Sequence, residues 1–249
     1  MTVLIREDDN GVVNLTLNRP EHFNTLSEAL IEALQRELDD VAKDDQVRCV
    51  IISGNGRGFC AGQDLKEMRE NPDKNYYQTL FSRSAKLMQS IIALPVPVIA
   101  KVHGIATAAG CQLVASCDLV IAASSARFAV SGIKLGLFCS TPAVALSRSI
   151  APKRAFDMLV TGDFIDVETA CNWGLVSQVV KPEILDQAVA LKVEKILEKS
   201  PEAIRYGKAM FHPQSQMNLS EAYMFAGEVM ADNMMCPSAI DQIDNFINK

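Results

Sequence analysis

Tryptophan occurs once in 249 residues, aromatic residues make up 6% of the chain, and histidine occurs three times. His22, His103 and His212 lie far apart and have no ligand-spaced partners, so no metal site is expected. The seven cysteines (49, 60, 111, 117, 139, 171 and 236) include no CxxC pair, and most sit in apolar surroundings. An odd set of this kind argues against a disulfide framework and reads as small core side chains in a reducing compartment. No apolar run reaches membrane-spanning length, so no membrane insertion is expected. The opening MTVLIREDDN has neither the form of a signal peptide nor that of a transit peptide, which makes the cytoplasm the expected location. Clusters of Lys and Arg are also missing. With 24 basic and 30 acidic residues the net charge is -6, which argues against a nucleic-acid footprint. Anionic ligands are still allowed, because local charge can differ from the total.

What is present is ordinary for a globular protein: 49% apolar and 22% charged residues, in a chain long enough for a substantial core. Val13, Leu15 and Leu17 alternate with polar residues and predict a half-buried strand ending at Asn18-Arg19-Pro20. Thr25-Leu-Ser-Glu28 has the form of a capping box ahead of a helix with Leu30, Leu34, Leu38 and Val41 on one face. VRCVIIS (47–53) reads as a buried strand closed by a glycine loop, and a helix is expected over 76–93 before a strand at 98–102. Strands at 119–123 and 175–180 follow, with a short helix between Asp166 and Gly174. Beyond Pro182 only helical patterns occur, over 184–199, 201–211 and 219–235. The expected organisation is an α/β core over 1–182 and a helical region over 183–249. Met217, Met224, Met230, Met234 and Met235 suit a partner surface or adaptable packing, and oligomerisation is the preferred reading.

Two stretches concentrate features that chemistry could use. In KVHGIATAAGCQLVASCD (101–118) an apolar strand runs into Gly104, Ala106, Ala108, Ala109 and Gly110, and then into a helix. Small residues at a strand-to-helix turn allow another backbone or a ligand to come close. The unpaired N–H groups that open a helix suit a carbonyl oxygen becoming negative during reaction. Tight helix–strand packing explains the same residues, and this stretch alone favours that explanation. The second stretch is the loop RGFCAGQDLKEM (57–68).

NRPEHFNTLS (18–27), FCAGQDLKEM (59–68), the run from Pro95 to Ala122 and TGDFIDVETACNWGLVSQVV (161–180) occur in order over nearly the whole chain. Together they resemble the enoyl-CoA hydratase/isomerase (crotonase) superfamily. TAAGCQLVASCD followed by GLFCSTPAVAL (136–146) most resembles the subgroup called enoyl-CoA hydratase domain-containing protein 3. The resemblance implies a crotonase-like spiral of ββα units with a C-terminal helical trimerisation region, giving a homotrimer or a hexamer. It implies an acyl-CoA thioester as substrate or ligand, no separate cofactor, and a lyase or isomerase activity in fatty acid metabolism. By motif position, the backbone N–H groups of Gln63 and Ala109 form the oxyanion hole for the thioester oxygen. Asp64, Leu65 and Lys66 fall where relatives border CoA, and Lys249 matches a C-terminal lysine near the nucleotide phosphates. Glycine is usual at Ala109, so a positive φ there would strain the hole.

Family hydratases use two glutamates, one to activate water and one to protonate the α-carbon. Their positions carry Gln112 and Gly132 here, and Ser140 stands where other branches place an acid. An amide takes up no proton at pH 7, and a serine without a nearby base is neither acid nor nucleophile. Cys139 reads as a thiol nucleophile or, preferentially, as a residue of the pocket wall. His103 and Asp118 read as structural, and Glu67 as solvent-facing. Three functions stay open: an acyl-CoA enzyme with an atypical proton donor, a catalytically silent acyl-CoA binder, and a trimeric interaction scaffold.

Overall fold

The computed structural model describes residues 2–248. The chain opens with β1 (Leu4–Asp9) and β2 (Val12–Leu17), an antiparallel hairpin turning at Asn10-Gly11. Both turn residues have positive φ, 48° and 81°, as a tight hairpin turn demands. The sequence reading found β2 but not β1. In β1 only Leu4 is buried, so LIREDD lacks the alternation that marks a strand. Helix α1 (Glu28–Val41) follows, buried through Leu30, Ile31, Leu34, Leu38 and Val41. Its N-cap is Ser27, whose hydroxyl accepts from Leu30 N at 3.3 Å, so the expected Thr25 capping box is not the one formed.

β3 (Cys49–Gly54), α2 (Leu65–Glu70) and α3 (Lys74–Ala93) lead to β4 (Val98–Val102). From there the chain repeats a strand–strand–helix unit: β4, β5 (Ile105–Thr107) and α4 (Ala109–Ser116), then β6 (Leu119–Ala123), β7 (Arg127–Ala129) and α5 (Ser140–Ser149). Next come α6 (Pro152–Thr161), β8 (Ile165–Asp166), α7 (Val167–Trp173) and β9 (Gln178–Val180). In each repeat one strand joins a six-stranded sheet, ordered β1-β2-β3-β4-β6-β9, and the other joins a small sheet, β5-β7-β8. The large sheet is parallel from β2 onward. Parallel strands are buried on both faces, which is why VIIS and VIAKV read as continuous apolar runs.

One face of the large sheet packs Leu15, Val50, Ile52 and Ala100 against Leu34 of α1 and Leu87 and Ile91 of α3. The other face, with Cys49, Ile51, Ile99 and Ile121, is covered by Leu185, Val189 and Val193 of α8 (Leu185–Leu197). Three further helices follow: α9 (Pro201–Gln214), α10 (Leu219–Met234) and α11 (Pro237–Ile247). None of their residues is buried, and Leu219, Tyr223, Met230, Met235 and Phe246 are each at least 69% exposed.

Candidate functional site

Asn24 builds the first half of the site. It is fully buried in a left-handed conformation (φ 54°). Its Nδ2 donates to the carbonyls of Asn55, Gly58 and Phe59 at 2.9–3.1 Å, and its Oδ1 accepts from Arg19 N. One side chain thus holds the glycine loop after β3, the physical content of the NRPEHFNTLS stretch. The following residues are pinned from both sides. Cys60 N donates to Ile105 O and Thr107 N to Cys60 O, while Leu26 N donates to Gly62 O and Asp64 N to Leu26 O. Gln63 lies between these bonds, and among the described residues nothing accepts from its N–H.

The second half is the start of α4. Ala108 takes φ 50° and ψ −121°, a conformation that favours glycine, and turns β5 into the helix. Ala109 is then the first helical residue, and the opening N–H groups of a helix have no intrahelical acceptor. The strain expected at Ala109 therefore falls one residue earlier. Ala109 itself is helical, so its N–H is free of the distortion anticipated for it.

Gln63 and Ala109 share the wall of a cavity of about 400 Å³. Leu65, Met68, Phe81, Leu135, Phe138 and Pro142 make its lining mostly apolar. Among the described residues no Asp, Glu, His, Lys or Arg lines it. Gly132, Cys139 and Ser140 do, Ser140 as the first residue of α5. Burial pushes the Cys139 thiol up from its ordinary value, partly opposed by the Gly132 N–H. Burial pushes Cys60 and Cys111 up to about 12, so both are plain core thiols.

The remaining expected residues divide. Gln112 is 4% exposed, lies outside the cavity wall, and its Oε1 is buried with no hydrogen-bond partner. A side chain on Gly132 would begin 2.7 Å from both Cys139 Sγ and the Leu137 carbonyl. Leu65 lines the cavity, whereas Lys66 is exposed beside it in α2. The Asp64 carboxylate caps α2 and accepts from Arg19 Nη2 at 2.9 Å. Burial would raise Asp64, and the Arg19 bond with the cap N–H groups outweighs it, holding the carboxyl below its ordinary range. Lys249 lies outside the described residues. The sequence reading missed Ser84, which is fully buried and accepts from Gln63 Nε2 at 2.7 Å, fixing that side chain. A lone serine among helix-spaced apolar residues gives no signal for this.

Three neighbouring polar residues are structural. His103 Nε2 donates to Gly56 O at 2.8 Å, as expected of a histidine closing a strand. Glu67 corrects the expectation of a solvent-facing acid: its carboxylate accepts from Glu28 N at 2.9 Å and so caps α1 from α2. Asp118 accepts from Val98 N, from Lys208 Nζ at 2.6 Å and from His212 Nε2 at 3.0 Å, joining the sheet to α9. Among the described residues no group of three or more His, Cys, Asp or Glu is placed to hold a metal. No described helix is long and apolar enough to cross a membrane.

Comparison with known proteins places this architecture. The family model "Enoyl-CoA hydratase/isomerase" matches residues 7–240. Enoyl-CoA hydratase domain-containing protein 3, mitochondrial, of Xenopus laevis is 41% identical over 249 residues, covering 100% of this chain and 84% of that one. The 1,2-epoxyphenylacetyl-CoA isomerase of Escherichia coli is 37% identical over 196 residues, covering 74% of this chain and 72% of its own. A solved structure described as an enoyl-CoA hydratase of Mycobacterium smegmatis is 52% identical, with a TM-score of 0.98, and covers 99% of this chain and 96% of that one. The human domain-containing protein 3 is 38% identical in its solved structure, with a TM-score of 0.96 and coverage of 99% and 97%. The chain belongs to the enoyl-CoA hydratase/isomerase (crotonase) superfamily, in the subgroup of enoyl-CoA hydratase domain-containing protein 3.

Proposed function

We propose that this chain binds an acyl-CoA thioester with its acyl group in the cavity and stabilises a thioester enolate with the N–H groups of Gln63 and Ala109. The observation that carries the reading is the pairing of those two groups, one left without an acceptor between pinned strands and one opening a helix, on the wall of one apolar cavity. One such donor contributes roughly 2.7–4 kcal/mol to a developing oxyanion. Backbone donors are indifferent to side chain, so glutamine and alanine serve at these positions. Leu65 and Lys66 are the residues of α2 set to border the CoA portion, and the roles implied for Asp64 and Lys249 there are part of the same proposal.

Hydration by two glutamates does not fit the residues present. Gln112 is a neutral amide off the cavity wall, and Gly132 offers no side chain. Ser140 lines the cavity with no base beside it there. The activity is therefore of enolate type with a different proton source, and a catalytically silent acyl-CoA binder is the second reading, favoured by the lack of acids in the wall. Calorimetric titration with crotonyl-CoA and with a saturated acyl-CoA, followed by a product assay, separates them. Binding with turnover supports the enzyme, binding alone supports the silent binder, and no binding leaves only the scaffold reading.

Oligomerisation through the helical region over 183–249 belongs to the same proposal. Its support is the exposed apolar set on α9–α11, which a homotrimer or hexamer would cover. The cytoplasm is the proposed compartment. Seven free thiols fit a reducing environment, and fractionation distinguishes this from the mitochondrial location that the relatives' names carry.

A further inference from the structure

A thioester enolate needs a proton, and the wall of this cavity narrows where one can come from. Among the described residues that line it, Cys139 has the sole titratable side chain. It sits on the same cavity as Gln63 and Ala109, at the N-cap of the ten-residue helix α5. Gly132 brings its backbone against the sulfur: a β-carbon there would lie 2.7 Å from Sγ, so the thiol fills the space where a side chain at 132 would start. The Gly132 N–H favours a thiolate at this point, opposing the larger effect of burial, and the residue stands at the N-cap of α5, though its side chain makes no cap bond to that helix. The titratable neighbour behind it is Cys111 of α4, which burial keeps protonated. Lys134, on the turn that carries Gly132, is paired outward with Asp163 at 2.8 Å. Among the described residues no Asp, Glu, His, Lys, Arg or Tyr shares the cavity wall with it.

We propose that Cys139 is the proton-transfer group of this pocket, exchanging a proton between its sulfur and the α-carbon of an acyl-CoA thioester held by Gln63 and Ala109. The inference rests on the acyl-CoA reading above. In the donating direction the S–H bond breaks and a C–H bond forms at the α-carbon. The enolate electron pair makes that bond as the carbonyl is restored, and a Cys139 thiolate is left. In the reverse direction the thiolate removes the α-proton and the electron pair moves onto the thioester oxygen. No oxidant or co-reactant is required. At neutral pH the buried thiol is protonated, so it is set to donate, and its basic form grows with pH.

The test is deuterium exchange at the α-carbon of butyryl-CoA in D₂O, followed by NMR, with calorimetric binding measured on the same proteins. The wild-type chain should exchange that proton at a rate that rises with pH and levels off once the thiol is ionised. Cys139→Ser and Cys139→Ala should still bind and, at saturating ligand, lose about 10²–10⁴-fold in exchange rate, the usual contribution of a positioned acid or base. Any residual exchange should track hydroxide without levelling. A merely structural cysteine would alter melting temperature and leave the saturated exchange rate and the shape of its pH profile intact. Unchanged exchange in a folded, binding Cys139→Ser variant overturns the role of Cys139 while sparing the acyl-CoA reading. Binding with no exchange in the wild type overturns it as well. Absence of binding by the wild type overturns the acyl-CoA reading beneath it.

Discussion

The carbonyl of Cys60 occupies the space that a β-carbon on Gly110 would need. This contact presses the start of α4 against the loop carrying Gln63, so the two proposed oxyanion donors are set by backbone against backbone. Neither partner is a flexible side chain that could yield. Gly110→Ala must therefore move the loop or the helix. We expect overpacking to cost about 1–3 kcal/mol of stability. Acyl-CoA affinity should fall with it, because the donors separate. Thermal melting and calorimetric titration check this, and an alanine variant with unchanged affinity would show that the rivet does not set the donors.

Ala108 predicts the opposite sign. A non-glycine residue at φ 50° and ψ −121° is strained by about 1–3 kcal/mol, and the Ala108 methyl lies 2.9 Å from where a β-carbon on Gly62 would be. Ala108→Gly removes the strain and adds unfolded-state entropy worth roughly 0.5–1 kcal/mol. A net gain near 1 kcal/mol in urea unfolding is expected, with ligand affinity kept. A net loss would mean that the methyl contributes packing that outweighs the strain.

Much of this was legible in the sequence. Apolar runs gave the parallel strands, and Asp166 and Gly174 bracketed α7 as N-cap and C-cap. The small residues of 104–110 marked a close backbone approach, and the structure has one there: Gly110 packs on the Cys60 carbonyl, next to the proposed donor Ala109. Other features left no sequence signal. Strand β1 is hidden because only Leu4 of LIREDD is buried, so its pairing with β2 leaves no apolar alternation. Helix α11 begins at Pro237, only three residues past the end of α10 at Met234, so Pro237 is the one mark of the break. Glu67 caps a helix 39 residues away in sequence, a contact that only the fold creates. The positive φ falls on Ala108 and not on Ala109 because the turn that reverses the chain precedes the first helical residue.

The tail predicts an assembly. Tyr223 and Met224 of α10 are 74% and 63% exposed, and no residue of that helix is buried. Tyr223→Glu combined with Met224→Glu should dissociate an oligomer held by this face, read by light scattering, while leaving circular dichroism of the α/β core unchanged. A wild-type chain that runs as a monomer at micromolar concentration would remove the trimer and hexamer proposal outright.

The join between core and tail predicts a pH dependence. Asp118 is largely buried, which would raise its pKa, but the bonds from His212, Lys208 and Val98 N outweigh this and hold it below its ordinary value. A carboxyl depressed in the folded state stabilises the fold fully above the pKa of the unfolded chain, near 4 for aspartate. That contribution disappears as pH falls through the lower folded value. Lys208 is 7% exposed at its side chain, so Lys208→Met strands a buried carboxylate beside His212. Breaking one side of such a pair costs about 3–5 kcal/mol, whereas replacing both charges is far milder. Urea unfolding at about pH 7 should thus rank wild type above Asp118→Asn with Lys208→Met, and both above Lys208→Met alone. Near pH 3 the gap between wild type and Lys208→Met should narrow, since Asp118 then gains its proton on unfolding at little cost. A gap that stays constant with pH would mean that Lys208 anchors α9 through the Ile91 and Val96 carbonyls, which it also reaches, and not through Asp118.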